Sequence, residues 1–234
     1  MASVYDAIVV GGGHNGLVAA SYLAKAGKKV LLLEGAAELG GATSSVRAFP
    51  EFDARLSRYS YLVALFPDQI VNDLGINFQT LSREVSSYTP YEKDGKHDGL
   101  SVSTVWNKET ADSFARLTGS DAESAAWQSF YSEIAEFAAR SAPSMLQPLM
   151  TRSQMRQSLG MDSVWDYMIE RPIGEVIEDR FANDLVRGVV LTDALIGTFI
   201  DSMSIQANIC FFYHLFGNGV GQWKVPRVLL HIDV

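Results

Sequence analysis

The first clear hydrophobic pattern is the short apolar run Asp6-Ala-Ile-Val-Val10, which stops at three glycines. A run of this length without polar alternation predicts a parallel strand buried on both faces and entering a tight turn. Behind the glycines, Leu17, Ala20, Leu23, Ala24 and Ala26 recur near the helical period, and Gly27 follows as a C-terminal stop. Val30-Leu-Leu-Leu33 is a second fully apolar strand. It returns parallel to the first because a helix has been crossed between them. The three elements make one βαβ unit.

Further along, Val85–Tyr91 and Leu100–Trp106 read as strands, separated by the polar turn Glu92-Lys-Asp-Gly-Lys-His-Asp-Gly99 of a hairpin. One long helical stretch is predicted from about Glu109 to Arg140, with Phe114, Leu117, Trp127, Phe130, Tyr131, Ile134 and Phe137 as its apolar stripe. Pro143 and Pro148 interrupt it. Helical patterning resumes from Ser163 to about Ile200, with Val164, Tyr167 and Met168 on one face and Leu185, Val189 and Leu195 continuing inward. Such aromatic and methionine content would suit a substrate tunnel, but stripes at this spacing are in general helix faces packed into a core.

Chemistry concentrates at the turns of the βαβ unit. Gly11-Gly12-Gly13-His14-Asn15-Gly16 satisfies the Gly-x-Gly-x-x-Gly pattern directly between strand and helix. Gly11 permits the sharp turn, Gly13 lets the backbone approach a pyrophosphate, and Gly16 lets the helix pack close to the strand. The helix N-terminus, with backbone N–H groups of His14 and Asn15, offers partial positive charge to a pyrophosphate without lysine or arginine. Glu34 ends the second strand 18 residues after Gly16, where a carboxylate accepts ribose hydroxyls and disfavours a 2′-phosphate. Gly40-Gly41 supplies a second small-residue turn beside the dinucleotide. The candidate cofactor-binding residues are therefore Gly11, Gly12, Gly13, His14, Asn15, Gly16, Glu34, Gly40 and Gly41, and the pattern selects FAD or NAD over NADP.

The fold class that follows is α/β: a Rossmann-type FAD/NAD(P)-binding βαβ unit with an inserted α+β, largely helical substrate region. The expected domains are residues 1–80 for the dinucleotide, 81–226 for the substrate region and 227–234 as an atypical tail. Composition narrows the class further. A hydrophobic content of 47% over 234 residues is enough for a sizeable core. The net charge of -8 leaves no general basic field for nucleic acid or anionic membranes. The apolar regions at 185–200 and 205–216 are broken by Arg187, Asp193, Asn208 and His214, so no integral membrane segment is expected. A single cysteine, Cys210, excludes a dithiol pair and fits a reducing, cytoplasmic location. His14, His97, His214 and His231 show no metal-ligand spacing, and no Gly-x-Ser-x-Gly turn occurs. No catalytic residue is assigned, which is compatible with flavin chemistry, where the protein mainly binds, orients and excludes solvent.

Tyr5-Asp-Ala-Ile-Val-Val-Gly-Gly-Gly-His-Asn-Gly-Leu-Val-Ala-Ala20 resembles the start of the phytoene desaturase-like flavoprotein oxidoreductases, within the wider carotenoid-desaturase and amine-oxidase superfamily. The His14-Asn15 pair sharpens the likeness toward the branch of pyridine nucleotide-disulfide oxidoreductase domain-containing protein 2. The likeness continues through 39–43, 49–52 and 57–61, and more loosely through 162–197 and 213–226. It implies FAD as cofactor and hydride removal from an apolar, isoprenoid or acyl-like small molecule. Relatives of the amine-oxidase type often carry arginine after the Gly-Gly pair; here Ala42 stands there, and neither Arg47 nor Arg58 is assigned in its place. Family members are longer and return near their carboxyl end to complete the flavin site, whereas Arg227–Val234 follows here. The expectation is an amino-terminal part of a split, truncated or frame-shifted flavoenzyme, associating with a missing carboxyl-terminal half or as a homo-oligomer. Two other readings stay open: an NAD-dependent dehydrogenase, and a non-catalytic dinucleotide-binding fragment.

Overall fold

The computed structural model describes residues 4–59, 63, 65–77, 80–216 and 224–226. The chain divides into two compact units, Met1–Leu81 with Lys224–Val234, and Ser82–Trp223.

In the first unit, β1 (Ala7–Val10), α1 (His14–Lys25) and β2 (Val30–Leu33) form the expected βαβ arrangement. The strands are parallel, in register from Ala7 opposite Val30 to Val10 opposite Leu33. Gly27, at φ +79°, ends the helix, and the amide of Lys28 reaches back to the carbonyl of Leu23 at 3.0 Å. Of the expected stripe, Leu17, Ala20 and Leu23 are half-buried, while Ala24 and Ala26 are exposed. The strands were expected to be buried on both faces, and this is corrected. Ile8 is 60% exposed, Val10 82% and Leu33 48%. Among the described residues the sheet has two strands and α1 lies on one face, so alternate side chains face outward.

A single 3-10 turn over Gly41–Thr43 leads to the short antiparallel pair β3 (Ser45–Val46) and β4 (Leu56–Ser57). Then come α2 (Asp68–Leu74) and β5 (Thr80–Ser82), which pairs with Lys224–Pro226. The expected tail 227–234, His231 and the family-like stretch 217–223 lie outside the described residues, as do Ser60 and Tyr61.

The second unit opens with an antiparallel hairpin of β6 (Val85–Lys93) and β7 (Lys96–Ser103). Its turn is tighter than the eight-residue loop expected: Asp94 at φ 54° and Gly95 at φ 71° reverse the chain alone. Two consecutive positive φ values match the right-handed twist of the strands, which therefore stay paired to the turn. The one long helix expected over 109–140 is two helices, α3 (Lys108–Thr118) and α4 (Ala122–Ser141), because Gly119 takes φ +81° and closes α3. An unanticipated α5 (Arg152–Leu159) starts at a capping box of Thr151 and Gln154.

The single stretch expected over 163–200 is likewise divided. It comprises α6 (Asp162–Trp165), a π-helical turn over Asp166–Glu170, α7 (Ile173–Arg180) and α8 (Asp184–Leu195). Pro172 cannot continue a helix hydrogen-bond ladder, and Asn183 starts α8 by accepting from the amides of Leu185 and Val186. The buried seam of α8 is Val186, Val190 and Ala194; Leu185, Val189 and Leu195 flank it half-buried. The last described helix is α9 (Ala207–Leu215). Phe130 lies at the centre of the core, with ring centroids of Phe181 and Phe211 at 5.8 and 6.0 Å.

Candidate functional site

The site is built where β1 turns into α1. Gly11 adopts φ +102°, a left-handed conformation that side chains resist. Gly12 is buried, and a β-carbon there would overlap the Leu39 side chain. A β-carbon on Gly16 would overlap the carbonyl oxygen of Gly11, so the helix sits on the turn at a distance that only glycine permits. Gly13 differs from both. Its conformation is extended, and the nearest atom to an added β-carbon is Cα of Gly41 at 3.9 Å. Protein packing therefore leaves the space before Gly13 open.

Gly13 is the N-cap of α1 and has no side-chain capping bond. Leu17 donates to the Gly13 carbonyl at 2.9 Å, but no acceptor for the first-turn amides of His14, Asn15 and Gly16 is found among the described residues. Such a helix end has in place the donors that an anion needs. His14 and Asn15 are exposed, so they contribute through backbone and accessible side chains.

Glu34 is fixed from two sides. Its Oε2 accepts from the Gly12 amide at 2.6 Å and its Oε1 from the Ala36 amide at 2.8 Å. These bonds, that of Ala36 first and that of Gly12 next, hold its carboxyl below the ordinary value of 4.5. Each oxygen keeps a further acceptor position. Gly40, at φ +121°, donates to the Gly12 carbonyl at 2.8 Å and bridges Gly13, and Gly41 follows at φ +55°. The two glycine turns thus lie against each other, with the carboxylate between the first turn and the end of β2.

The nine sequence candidates therefore fall on three adjoining segments of the first unit. A dinucleotide fits this arrangement on three grounds: unfilled helix amides, an open approach at Gly13, and an ionised, oriented carboxylate. Arg47 is engaged locally, donating to the Phe52 carbonyl and pairing with Asp53 at 2.9 Å. Arg58 lies over the Tyr59 ring at 5.3 Å. Among the described residues no three His, Cys, Asp or Glu side chains converge as a metal site would require, and no helix is long and apolar enough to cross a membrane. The bonds that Gly12 and Ala36 make to Glu34 were missed by sequence reasoning, since backbone donors carry no residue signature.

Residues 9–72 match the NAD(P)-binding Rossmann-like domain, which defines the class of this unit. Beyond it, the chain is 28% identical over 246 residues to pyridine nucleotide-disulfide oxidoreductase domain-containing protein 2 of Mus musculus, covering 92% of this chain and 41% of that one. The branch expected from His14-Asn15 is thus among its relatives. An uncharacterized protein of Mycobacterium tuberculosis is 45% identical over 230 residues, covering 95% of this chain and 43% of the relative. The chain therefore spans less than half the length of the curated relatives it matches. Among solved structures, cyclohexylamine oxidase from Brevibacterium oxydans superposes with a TM-score of 0.53 at 14% identity, over 95% of this chain and 46% of that one. That likeness concerns the fold.

Proposed function

We propose that the first unit binds the ADP half of FAD and that the chain serves a flavin-dependent oxidoreductase acting on an apolar small molecule. The observation that carries this reading is the uncapped start of α1 facing an open Gly13, beside a carboxylate held ionised by Gly12 and Ala36. The amides of His14, Asn15 and Gly16 would hold the pyrophosphate, Glu34 would accept from the ribose, and Gly40-Gly41 would leave room where the flavin half begins. Bound there, a flavin supplies a hydride acceptor. The protein's own part is to bind and orient, with residues 1–80 as the cofactor region, 81–226 as the substrate region and 227–234 as a tail. The relatives' names, an oxidoreductase domain-containing protein and an amine oxidase, support the same class. A reducing cytoplasmic setting, and association with a further polypeptide segment or a second copy, complete the proposal.

The NAD(P)-binding description of the matched domain favours a second reading, a nicotinamide-dependent dehydrogenase. Titration of the purified chain separately with FAD and NAD, followed by absorbance and calorimetry, decides between them. Saturable FAD binding in preference to NAD supports the flavin reading; the opposite order overturns it. FAD binding without bleaching of the flavin bands by any apolar reductant would leave a binding module rather than an enzyme.

A further inference from the structure

The first half of β6 carries its polarity inside out. Val85 and Tyr88 are 44% and 62% exposed, whereas Ser86, Ser87 and Thr89 are half-buried. Burial of apolar surface favours the opposite arrangement. The three hydroxyl residues line a cavity of about 580 Å³, within the range of small-molecule sites. All of its lining residues belong to the second unit, and α4, α8 and α9 supply the wall facing the hairpin. Trp106, Trp127 and Tyr131 form an aromatic side, with Val189 beside them. The Trp127 and Tyr131 ring centroids are 4.6 Å apart.

The hydrogen-bonding groups of this lining divide into two sets. Ser103, Thr104 and Thr192 are engaged within the protein, by Asn107 and by the carbonyls of Arg83 and Gly188. Buried hydroxyls elsewhere in the unit are engaged too: Ser113 bonds the Thr110 carbonyl at 2.8 Å, and Ser141 the Phe137 carbonyl at 2.6 Å. Among the described residues no hydrogen bond is made by the hydroxyls of Ser86, Ser87, Thr89 or Tyr131, or by the carboxylate of Asp193, and all five residues border the cavity. Tyr131 keeps its proton, because burial first and the charge of Asp193 next hold it well above the ordinary tyrosine range. The open groups therefore include both donors and acceptors.

The two charged residues of the lining, Arg83 and Asp193, are opposite in sign, so the cavity has no net charge with which to select an ion. A wholly apolar guest would strip the open hydroxyls of water and return no bond. The lining matches a molecule divided as it is, with an apolar ring face and a rim of hydroxyl groups.

We propose that the cavity of the second unit binds a neutral polyhydroxylated ring of pyranose size, its face against Trp106 and Tyr131 and its rim bonded to Ser87, Thr89 and Asp193. This ligand is additional to the apolar molecule of the flavin reading, and the inference stands on the second unit alone.

The test is calorimetric titration of the full chain at pH 7.5 with three ring probes: methyl β-D-glucopyranoside, cyclohexylmethanol and D-glucuronate. The glucoside should bind saturably and at least about tenfold tighter than cyclohexylmethanol, since each net hydrogen bond is worth a factor of about two to twelve. Thr89→Val keeps the shape and removes the hydroxyl; it should weaken the glucoside about threefold to tenfold without weakening cyclohexylmethanol. Ser87→Ala should act in the same direction. Ala135→Phe directs a ring into the cavity from an exposed position on α4 and should abolish glucoside binding. A glucoside bound no tighter than cyclohexylmethanol, glucoside affinity unchanged in both hydroxyl variants or in Ala135→Phe, tighter binding of glucuronate, or no binding of the glucoside would each overturn the proposal. FAD titration of the same preparations reads the first unit separately, so failure of one reading is distinguishable from failure of the other.

Discussion

The Gly12 amide donates to Oε2 of Glu34 at 2.6 Å, tying the turn after β1 to the end of β2. Because the same carboxylate also accepts from Ala36, its position is set before any ligand arrives. The acid proposed to accept from a ribose is thereby also a structural brace of the glycine turn. The two roles make separable predictions.

Glu34→Gln preserves size but replaces one acceptor oxygen with a donor amide, which cannot accept from Gly12 or Ala36 in the same way. FAD affinity should fall by about tenfold or more, since charge-assisted bonds are roughly twice as strong as neutral ones. The pH dependence has a definite sign. The folded-state value of Glu34 lies below 4.5, so its contribution is present above 4.5 and disappears as pH falls through the lowered value. Flavin retention should hold from neutral pH down to 4.5 and be lost only at lower pH, as the lowered value of Glu34 is passed. Spectrophotometric titration after desalting at each pH checks both outcomes.

Gly13→Ala and Gly16→Ala should part company. A β-carbon at Gly13 meets nothing closer than 3.9 Å, so that variant should keep the thermal midpoint of the parent while losing FAD. A β-carbon at Gly16 would overlap the Gly11 carbonyl oxygen, so that variant should melt earlier even without cofactor. Circular dichroism melts paired with FAD titration give the comparison, and a Gly13→Ala protein that binds FAD like the parent would remove Gly13 from the site.

Asn208 should prove a structural keystone of the second unit. It is 4% exposed; its Oδ1 accepts from the Ile173 amide at 3.0 Å, and its Nδ2 donates to the Met168 and Arg171 carbonyls at 2.8 and 2.9 Å. These bonds satisfy backbone groups freed where the π-helical turn gives way to α7. Asn208→Ala leaves buried polar groups unpaired and should cost about 1–3 kcal/mol, measured by denaturant unfolding. Asn208→Asp, which removes both donated bonds while keeping the acceptor, should also destabilise.

Asp193→Asn should stabilise the protein near neutral pH. Its carboxyl value is raised from 3.8 to about 6, so its favourable contribution is complete below 3.8 and is lost as pH rises through 6. The influences around it are burial and His214; Tyr131 and Cys210 nearby are raised first by their own burial and then by its charge. Removing the charge should add roughly 1–3 kcal/mol at pH 7.5, since each tenfold change in proton affinity is worth about 1.4 kcal/mol. The gain should shrink as pH falls toward about 4, where the parent's carboxyl is itself neutral. Parallel melts of parent and variant across that range measure it.

The βαβ unit was legible because its signals are local: an apolar run, glycines at a fixed spacing, a helical stripe and a strand ending in Glu34. The hairpin was legible too, although Asp94-Gly95 carries the reversal that a longer polar run had concealed. Helix boundaries were not. Gly119 and Pro172 look like isolated breakers in a stripe that continues across them, and their effect depends on how the flanking helices repack. The seam of α8, Val186, Val190 and Ala194, lies one residue from the expected positions, which flank it half-buried, because neighbouring apolar residues on this helix make several faces look alike in sequence. The cavity around Asp193 was invisible for another reason: Trp127, Tyr131 and Val189 obey core periodicity while also bordering empty space.

The pair of strands in the first unit has a consequence for the behaviour of the chain as a material. Among the described residues β1 and β2 bond only to each other, and Ile8, Val10 and Leu33 stand out from them toward solvent. Unpaired strand edges with apolar flanks are templates for further strand addition. The same short segment that holds the glycine turn in shape is therefore also an adhesive edge, exposed to crowding during synthesis or to concentration in a tube.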